Sequence, residues 1–346
     1  MIPHFKPEVD QAGIDSVVAA LRAGRLGQGE EVARLEQAIS ARFGGASVVA
    51  VSSGTAALYL ALAALDLRRG QKIVIPSYTC NSLYAAAAFA GCEAVCADVP
   101  ERGLSLTRET AAAVFTDSVG AVIVPHTAGY LADVDGILSL GRPVIEDCCH
   151  AFGGAYPDGT PAGAKGSVAI VSFYATKLLP SGEGGACITR SDRLADAIRA
   201  LRNCDERPPD PRAFNFKMSD VCAAIARSQL GTLDAHIEER RRMAAEYDEA
   251  FGPRAFRSSS SQPEAVCFRY LVRARDASAF IARAEAVGVT VRRPVYRPLH
   301  LALGGECPRT EHLYQTLVSV PLYPGLPPDA RREICRRLPD LLSPGA

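Results

Sequence analysis

The chain lacks a net charge: 38 lysines and arginines balance 38 aspartates and glutamates. Without a global positive field it has no long-range attraction for nucleic acid or an anionic membrane surface, so a small molecule is the expected ligand. It also lacks any apolar run approaching the roughly 20 residues of a membrane helix. The most apolar stretches, 58–65 and 84–90, are broken by polar residues first. No C-x-x-C pair occurs among its 11 scattered cysteines, and Cys92, Cys96 and Cys187 lie inside apolar runs. They read as reduced packing residues rather than a disulfide framework. The opening M-I-P-H-F-K-P has no apolar core of a secretion signal, so the expected location is cytoplasmic. The six histidines show no metal-ligand spacing, although His150 beside Cys148 and Cys149 imitates one locally. No internal repeat or low-complexity tract is present.

What is present is a series of short apolar segments: 48–51, 72–76, 94–99, 121–125, 143–147, 168–173 and 186–189. Most lack alternation, the pattern of strands covered on both faces. Helical stretches at 55–65, 82–90 and 106–117 separate the earlier ones, which predicts a mainly parallel seven-stranded α/β sheet flanked by helices. The last two segments have no helix between them, so the sheet there is expected to be antiparallel. After Asn203 the texture changes. A turn-rich connection covers 205–212, an amphipathic segment starts at Ser219, and a charged helix is expected over 233–251. Its run E-E-R-R-R (238–242) reads as a solvated face. A loop over 254–263 precedes alternating strand-like (267–273) and helix-like (277–287) pieces. The expected division is a large ligand-binding domain, 1–240, and a smaller C-terminal α+β domain, 241–346, on which the N-terminal segment of the large domain is expected to pack.

In an open α/β sheet, ligands bind beyond the carboxyl ends of the strands, so residues just after strands are the first candidates. After the first strand, S-S-G-T-A-A-L (52–58) opens a helix whose free N–H groups suit a phosphate, although Ser and Thr there also serve as ordinary caps. After the fifth, E-D-C-C-H (146–150) places Asp147 at a buried strand end, where a carboxylate needs a cationic or hydrogen-bonding partner. After the sixth, S-F-Y-A-T-K-L-L-P-S-G-E-G-G (172–185) sets Lys177 between an apolar strand and a glycine cluster. A lysine, an aspartate and a phosphate-binding turn on one sheet edge match the needs of pyridoxal phosphate. The lysine condenses with its aldehyde, the carboxylate keeps the pyridine nitrogen protonated, and the turn takes the phosphate.

With these motifs, together with G-R-L-G-Q-G-E-E-V-A-R-L-E (24–36), N-F-K-M-S-D-V-C-A-A-I (215–225) and P-V-Y-R-P-L-H (294–300), the chain resembles the DegT/DnrJ/EryC1/StrS sugar aminotransferases of the aspartate-aminotransferase fold. The resemblance implies that Lys177 bonds to the cofactor and then shuttles the proton, and that Asp147 pairs with the pyridinium. It implies that Gly54, Thr55 and Ser172 hold the phosphate, and that Asn215 reaches the neighbouring subunit's phosphate in a homodimer with shared sites. His150 stands where the family commonly has glutamine facing the ring hydroxyl. Cys80 stands where an aromatic residue usually stacks on the ring, with Tyr78 two residues earlier as the alternative. Arg293, Tyr296 and His300 fall where the family builds part of its substrate pocket. The implied reaction moves an amino group from glutamate or glutamine to a keto sugar, nucleotide-linked in many relatives, in amino-sugar or secondary-metabolite biosynthesis. A keto-cyclitol aminotransferase is the alternative. A dehydratase, which carries histidine in place of the lysine, and a non-catalytic regulatory homologue are disfavoured by the retained Lys177 and Asp147.

Overall fold

The computed structural model describes residues 1–205, 208–256 and 262–342. Its helices are α1 (Gln11–Arg22), α2 (Glu30–Arg42), α3 (Gly54–Ala64), α4 (Asn81–Phe89), α5 (Arg108–Ala112), α6 (Val134–Leu138), α7 (Asp192–Arg202), α8 (Asp220–Phe251), α9 (Ala277–Ala286), α10 (His300–Leu303), α11 (Pro308–Thr316) and α12 (Pro328–Leu341). Its strands are β1 (Ser47–Val51), β2 (Lys72–Pro76), β3 (Glu93–Ala97), β4 (Val119–Pro125), β5 (Val144–Asp147), β6 (Val168–Ser172), β7 (Gly185–Thr189), β8 (Tyr270–Arg273) and β9 (Leu317–Val320).

The first seven strands form one sheet in the order β1-β7-β6-β5-β4-β2-β3. Strands β3, β2, β4, β5 and β6 run parallel, and β7 is antiparallel to both β6 and β1. Alternate residues of one strand serve opposite faces: Val49 and Val51 pack with α3, while Val48 and Ala50 pack with α2 and α8. Both faces are thus apolar, which explains why these segments do not alternate in sequence. Helix α3 is buried on all sides except at Thr55, so it carries alanine and leucine without an amphipathic period. Ser53 caps it by accepting the Ala56 N–H.

A second core gathers Met243, Tyr247 and Phe251 of α8 with β8, β9, α9 and α12. Ile2 and Phe5 pack against it, and Ile2 bridges to Val289. Helix α8 therefore runs unbroken between the two cores, a length of about 48 Å.

Several expectations require correction. The stretch 106–117 is helical only over Arg108–Ala112, and residues 116–118 form a turn into β4. The charged helix expected from residue 233 is the second half of one helix that starts at Asp220 under the cap Ser219. Within the charge run, Arg240 is 2% exposed and donates to the carbonyls of Phe268 and Leu322 at 3.1 and 2.9 Å. The expected loops at 205–212 and 254–263 lie partly outside the described residues.

Candidate active site

The carboxyl ends of β1, β4, β5 and β6 open onto one cavity of about 700 Å³. Of the residues singled out from the sequence, Gly54, Thr55, Cys80, Asp147, His150, Ser172, Lys177 and Tyr296 line it. Tyr78, Asn215, Arg293 and His300 do not.

Lys177 sits in the connection from β6 to β7. The segment is closed by its own backbone: Ala175 N donates to Gly182 O, Lys177 N to Tyr174 O and Ser181 N to Phe173 O. Gly184 holds φ +138° there, and a Cβ on it would meet Met218 Cε at 2.7 Å, so glycine is required twice over. Lys177 Nζ lies 2.9 Å from His150 Nε2 and 5.7 Å from the Phe268 ring centre. His150 stacks on Phe268 with centroids 4.2 Å apart. Its Nδ1 lies 3.3 Å from the Ala128 backbone nitrogen, and Nε2 faces Lys177 and the cavity. Burial, then the charges of Lys177 and Arg269, push the imidazole well below its ordinary pKa, so the ring is neutral.

Asp147 is buried at the end of β5. Its Oδ1 accepts the Cys149 N–H at 3.0 Å, and it forms no ion pair among the described residues. A buried carboxylate without an ion pair among the described residues, facing this cavity, fits a protonated pyridine nitrogen, which would donate from that cavity. The Cys149 thiol beside it is pushed up by burial and by the Asp147 charge, so it stays protonated.

The phosphate end is a close approach of two backbones. A Cβ on Gly54 would lie 2.7 Å from Ser172 Cβ and 3.1 Å from Ser172 Oγ, so only glycine lets the start of α3 reach the end of β6. The Thr55 hydroxyl donates to Ser82 Oγ at 3.1 Å, bringing the start of α4 to the same place. This cradle of N–H and hydroxyl groups at the N-terminus of a helix suits a phosphate.

Tyr78 does not reach the cavity. It is fully buried with Val99, Leu271 and Val295, and its hydroxyl has no partner. The Thr79 N–H to Ser77 O turn after β2 sends Tyr78 into the core and leaves Cys80, the N-cap of α4, on the cavity. Arg293 is held away by the Tyr314 carbonyl and Ser278. His300 is buried between Ser77 and Glu311, where it ties α10 to β2 rather than facing the cavity.

The residues not anticipated are Ser53, Thr79, Asn81, Ser82, Thr127, Glu183 and Arg297, which line the cavity, and His126. His126 follows β4 and is subject to the same strand-end rule that singled out Asp147. Its Nε2 meets Glu146 Oε2 at 3.1 Å while Nδ1 accepts the Ala132 N–H. His126, Glu146 and Cys148 bring their ligand atoms within 4.8 Å of one another. Glu146, however, also accepts from the Tyr156 hydroxyl and the N–H groups of Gly163, Lys165 and Gly166. Burial opposes its ionisation, but the His126 and backbone donors outweigh that and lower its pKa. The Cys148 thiol is driven up by burial and stays protonated, so the cluster is a saturated hydrogen-bond hub that pins the 163–166 loop.

A parallel sheet with a lysine, a lone aspartate and a helix-start cradle at its carboxyl edge defines a pyridoxal-phosphate-dependent aminotransferase of the aspartate-aminotransferase fold. The family profile described as DegT/DnrJ/EryC1/StrS aminotransferase matches residues 7–339, and the chain belongs to that family. Similar solved structures include the aminotransferase TlmJ from Streptoalloteichus hindustanus, at 27% identity and TM-score 0.92, covering 99% of each chain. AtS13 from Actinomadura melliaura matches at 29% identity and TM-score 0.90, with 98% of each chain covered. DesI, solved in the presence of its TDP-sugar product, matches at 27% identity and TM-score 0.89, covering 98% of this chain and 91% of its own. Among the described residues no helix is long and apolar enough to cross a membrane.

Proposed function

We propose that this aminotransferase moves an amino group from glutamate or glutamine to a keto sugar carried on a nucleotide, as a cytoplasmic homodimer. The observation that carries the reading is the meeting of Lys177, the ion-pair-free Asp147 and the Gly54–Ser172 cradle in one cavity, within a sugar-aminotransferase family. Pyridoxal phosphate, when bound, supplies an electron-withdrawing ring that accepts and returns the amino group. Asp147 would hold the proton on the ring nitrogen, His150 Nε2 would donate to the ring oxygen, and Gly54, Thr55 and Ser172 would take the phosphate. Lys177 Nζ is the base that removes and returns the proton at the reacting carbon. Cys80 would lie against the ring where relatives have an aromatic side chain.

The nucleotide link is supported by the size of the cavity and by its rim. Tyr296 is 94% exposed and Arg297 is beside it, an aromatic face and a cation suited to a base and a diphosphate. The dimer is supported by an exposed aromatic patch: Phe89, 57% exposed, and Phe214 cluster with Tyr59 and Phe216. Asn215 lies between Phe214 and Phe216 and does not line its own cavity, as a residue serving the neighbouring subunit would. We also propose that the chain divides into its two units inside α8, near residue 240.

The test of function is amino transfer from glutamate and glutamine to a panel of nucleotide keto sugars and free keto cyclitols, followed by mass. Product from a nucleotide-linked sugar supports the reading, and product from cyclitols alone overturns it. Mixing Lys177→Ala and Asn215→Ala chains tests the shared site: with sites built from two chains, an equal mixture recovers about a quarter of wild-type activity. Recovery of nothing overturns the role of Asn215.

A further inference from the structure

A small cavity of about 50 Å³ adjoins Phe268, on which His150 stacks, and is lined by His4, Thr176, Arg269, Ser319 and Leu322 among others. About 10–15 Å³ of such space holds one water, so there is room for a few waters or a small anion. What marks this cavity is a cation without a counter-ion. Arg269 forms no ion pair among the described residues. Its guanidinium meets His4 Nε2 at a long 3.5 Å and the Phe268 ring at 5.4 Å. The residue keeps part of its surface in solvent, yet its Nε is sealed and has no acceptor among the described residues.

The surroundings add positive charge rather than relieve it. Arg240, wholly buried, points at the same aromatic ring, with its guanidinium carbon 5.8 Å from the centre. His4 faces Arg269, Arg292 and Ser319, and burial followed by the two arginines pushes its pKa down to about 3, so it is neutral and neutralises nothing. Arg292 pairs outward with Glu285. Ser319 and Thr176, both hydroxyl residues, line the same wall, and the Ser319 Oγ lies 3.0 Å from His4 Nε2. A water molecule would satisfy hydrogen bonds here but leave the charge uncompensated in poor solvent. An anion does both.

We propose that Arg269, with Ser319 and Thr176, binds one small monovalent anion of chloride or carboxylate chemistry in this cavity, separate from the cofactor site. The anion would sit beside Thr176, one residue from Lys177 along the chain, and beside Phe268, on which His150 stacks, and so would offset the positive field of Arg269 on His150. The proposal goes beyond the amino-transfer reading and does not depend on it.

The experiment uses the full-length holoenzyme at constant ionic strength held with sodium HEPES, whose anion is several times the size of chloride or acetate. Sodium chloride, bromide, acetate and glutamate are titrated separately while the melting temperature and the absorption of the bound cofactor are followed. The expected result is a saturable rise of a few degrees with halide or acetate that is lost in Arg269→Gln and weakened in Arg269→Lys. Bromide-soaked wild-type crystals should show an anomalous peak beside the Arg269 guanidinium, which decides the matter even where the glutamine variant folds poorly. An acetate response without a halide response assigns the site to carboxylates, and the converse to halides, and either supports it. The absence of both the saturable rise and the bromide peak overturns the proposal. So does a response retained unchanged in Arg269→Gln, or one seen with glutamate alone.

Discussion

Replacing Gly54 by alanine sets two physical arguments against each other. Gly54 is the first residue of α3 and has no positive φ, so backbone and helix preference favour alanine by roughly 0.4–1 kcal/mol. The new Cβ, however, would lie 2.7 Å from Ser172 Cβ, 3.1 Å from its Oγ and 3.4 Å from its Cα. The neighbour is a strand end locked to β7 through the pairing of Ser172 with Gly185, so it cannot swing aside as a flexible side chain would. Relief requires a shift of about 1 Å between α3 and β6, and overpacking of this kind costs about 1–3 kcal/mol. The contact outweighs the propensity, and Gly54→Ala is expected to be less stable despite the better helix former.

Urea unfolding of the apoprotein, together with equilibrium binding of pyridoxal phosphate, separates the consequences. The single variant should lose roughly 1–2 kcal/mol of stability and bind cofactor at least about tenfold more weakly, since the shift opens the cradle. In Gly54→Ala/Ser172→Gly the 2.7 Å contact is gone, so stability should recover relative to Ser172→Gly while cofactor affinity stays low. A single variant as stable as the wild type, or more stable, would refute the claim that close backbone approach is why residue 54 is glycine.

Three further outcomes are expected. Asp147→Asn, which keeps the shape but removes the charge facing the ring nitrogen, should lower the amino-transfer rate by about 10²–10⁴-fold with little change in melting temperature; a loss under tenfold counts against the pairing. Tyr78→Phe removes a buried hydroxyl without a partner, so urea unfolding should find it within about 1 kcal/mol of wild type, and a loss above about 2 kcal/mol would mean that the hydroxyl is satisfied. His4, held down to about 3 against 6.5, resists protonation when folded while the unfolded chain takes up a proton. Its contribution is therefore complete above pH 6.5 and falls as pH drops toward 3, by at most about 1.4 kcal/mol per pH unit. His4→Gln should flatten the fall in urea midpoint between pH 7 and 5, and an unchanged slope would sink the assignment.

The sheet was legible because it is covered on both faces. Strands such as 73–76 and 121–125 are apolar throughout, and their ends mark where chemistry can sit. Lys177 and Asp147 stood out because a charge at a buried strand end demands a reason. Other features depended on turns of one residue. Whether Tyr78 or Cys80 meets the cavity is decided by the Ser77–Thr79 turn, which no pattern in P-S-Y-T-C-N discloses. Arg240 carried a signal that composition hid: Leu233, Ile237, Arg240, Ala244 and Tyr247 recur at helical spacing on one buried face, so the charge run was never uniformly solvated. His126 follows the strand-end rule as well as Asp147 does, but its partner Glu146 lies one strand away, and such pairings are invisible along the chain.

The antiparallel strand β7 explains why the lysine sits where it does. Parallel neighbours must be joined by a long crossover, which would carry the chain away from the carboxyl edge of the sheet. Reversing the direction after β6 lets residues 173–184 turn back at that edge, closed by the Ala175–Gly182 and Ser181–Phe173 backbone bonds. The same reversal returns Gly185 beside Ser172 and under Ser53 and Gly54; a Cβ on Gly185 would meet Ser53 C and Gly54 N at 2.7 and 2.8 Å. The hairpin that presents Lys177 is therefore also the floor of the phosphate cradle. On the proposed reading, the distance from Lys177 to the phosphate would be set by strand pairing rather than by loop conformation, which is the rigidity that a proton transfer between two carbons of a bound cofactor and substrate would require.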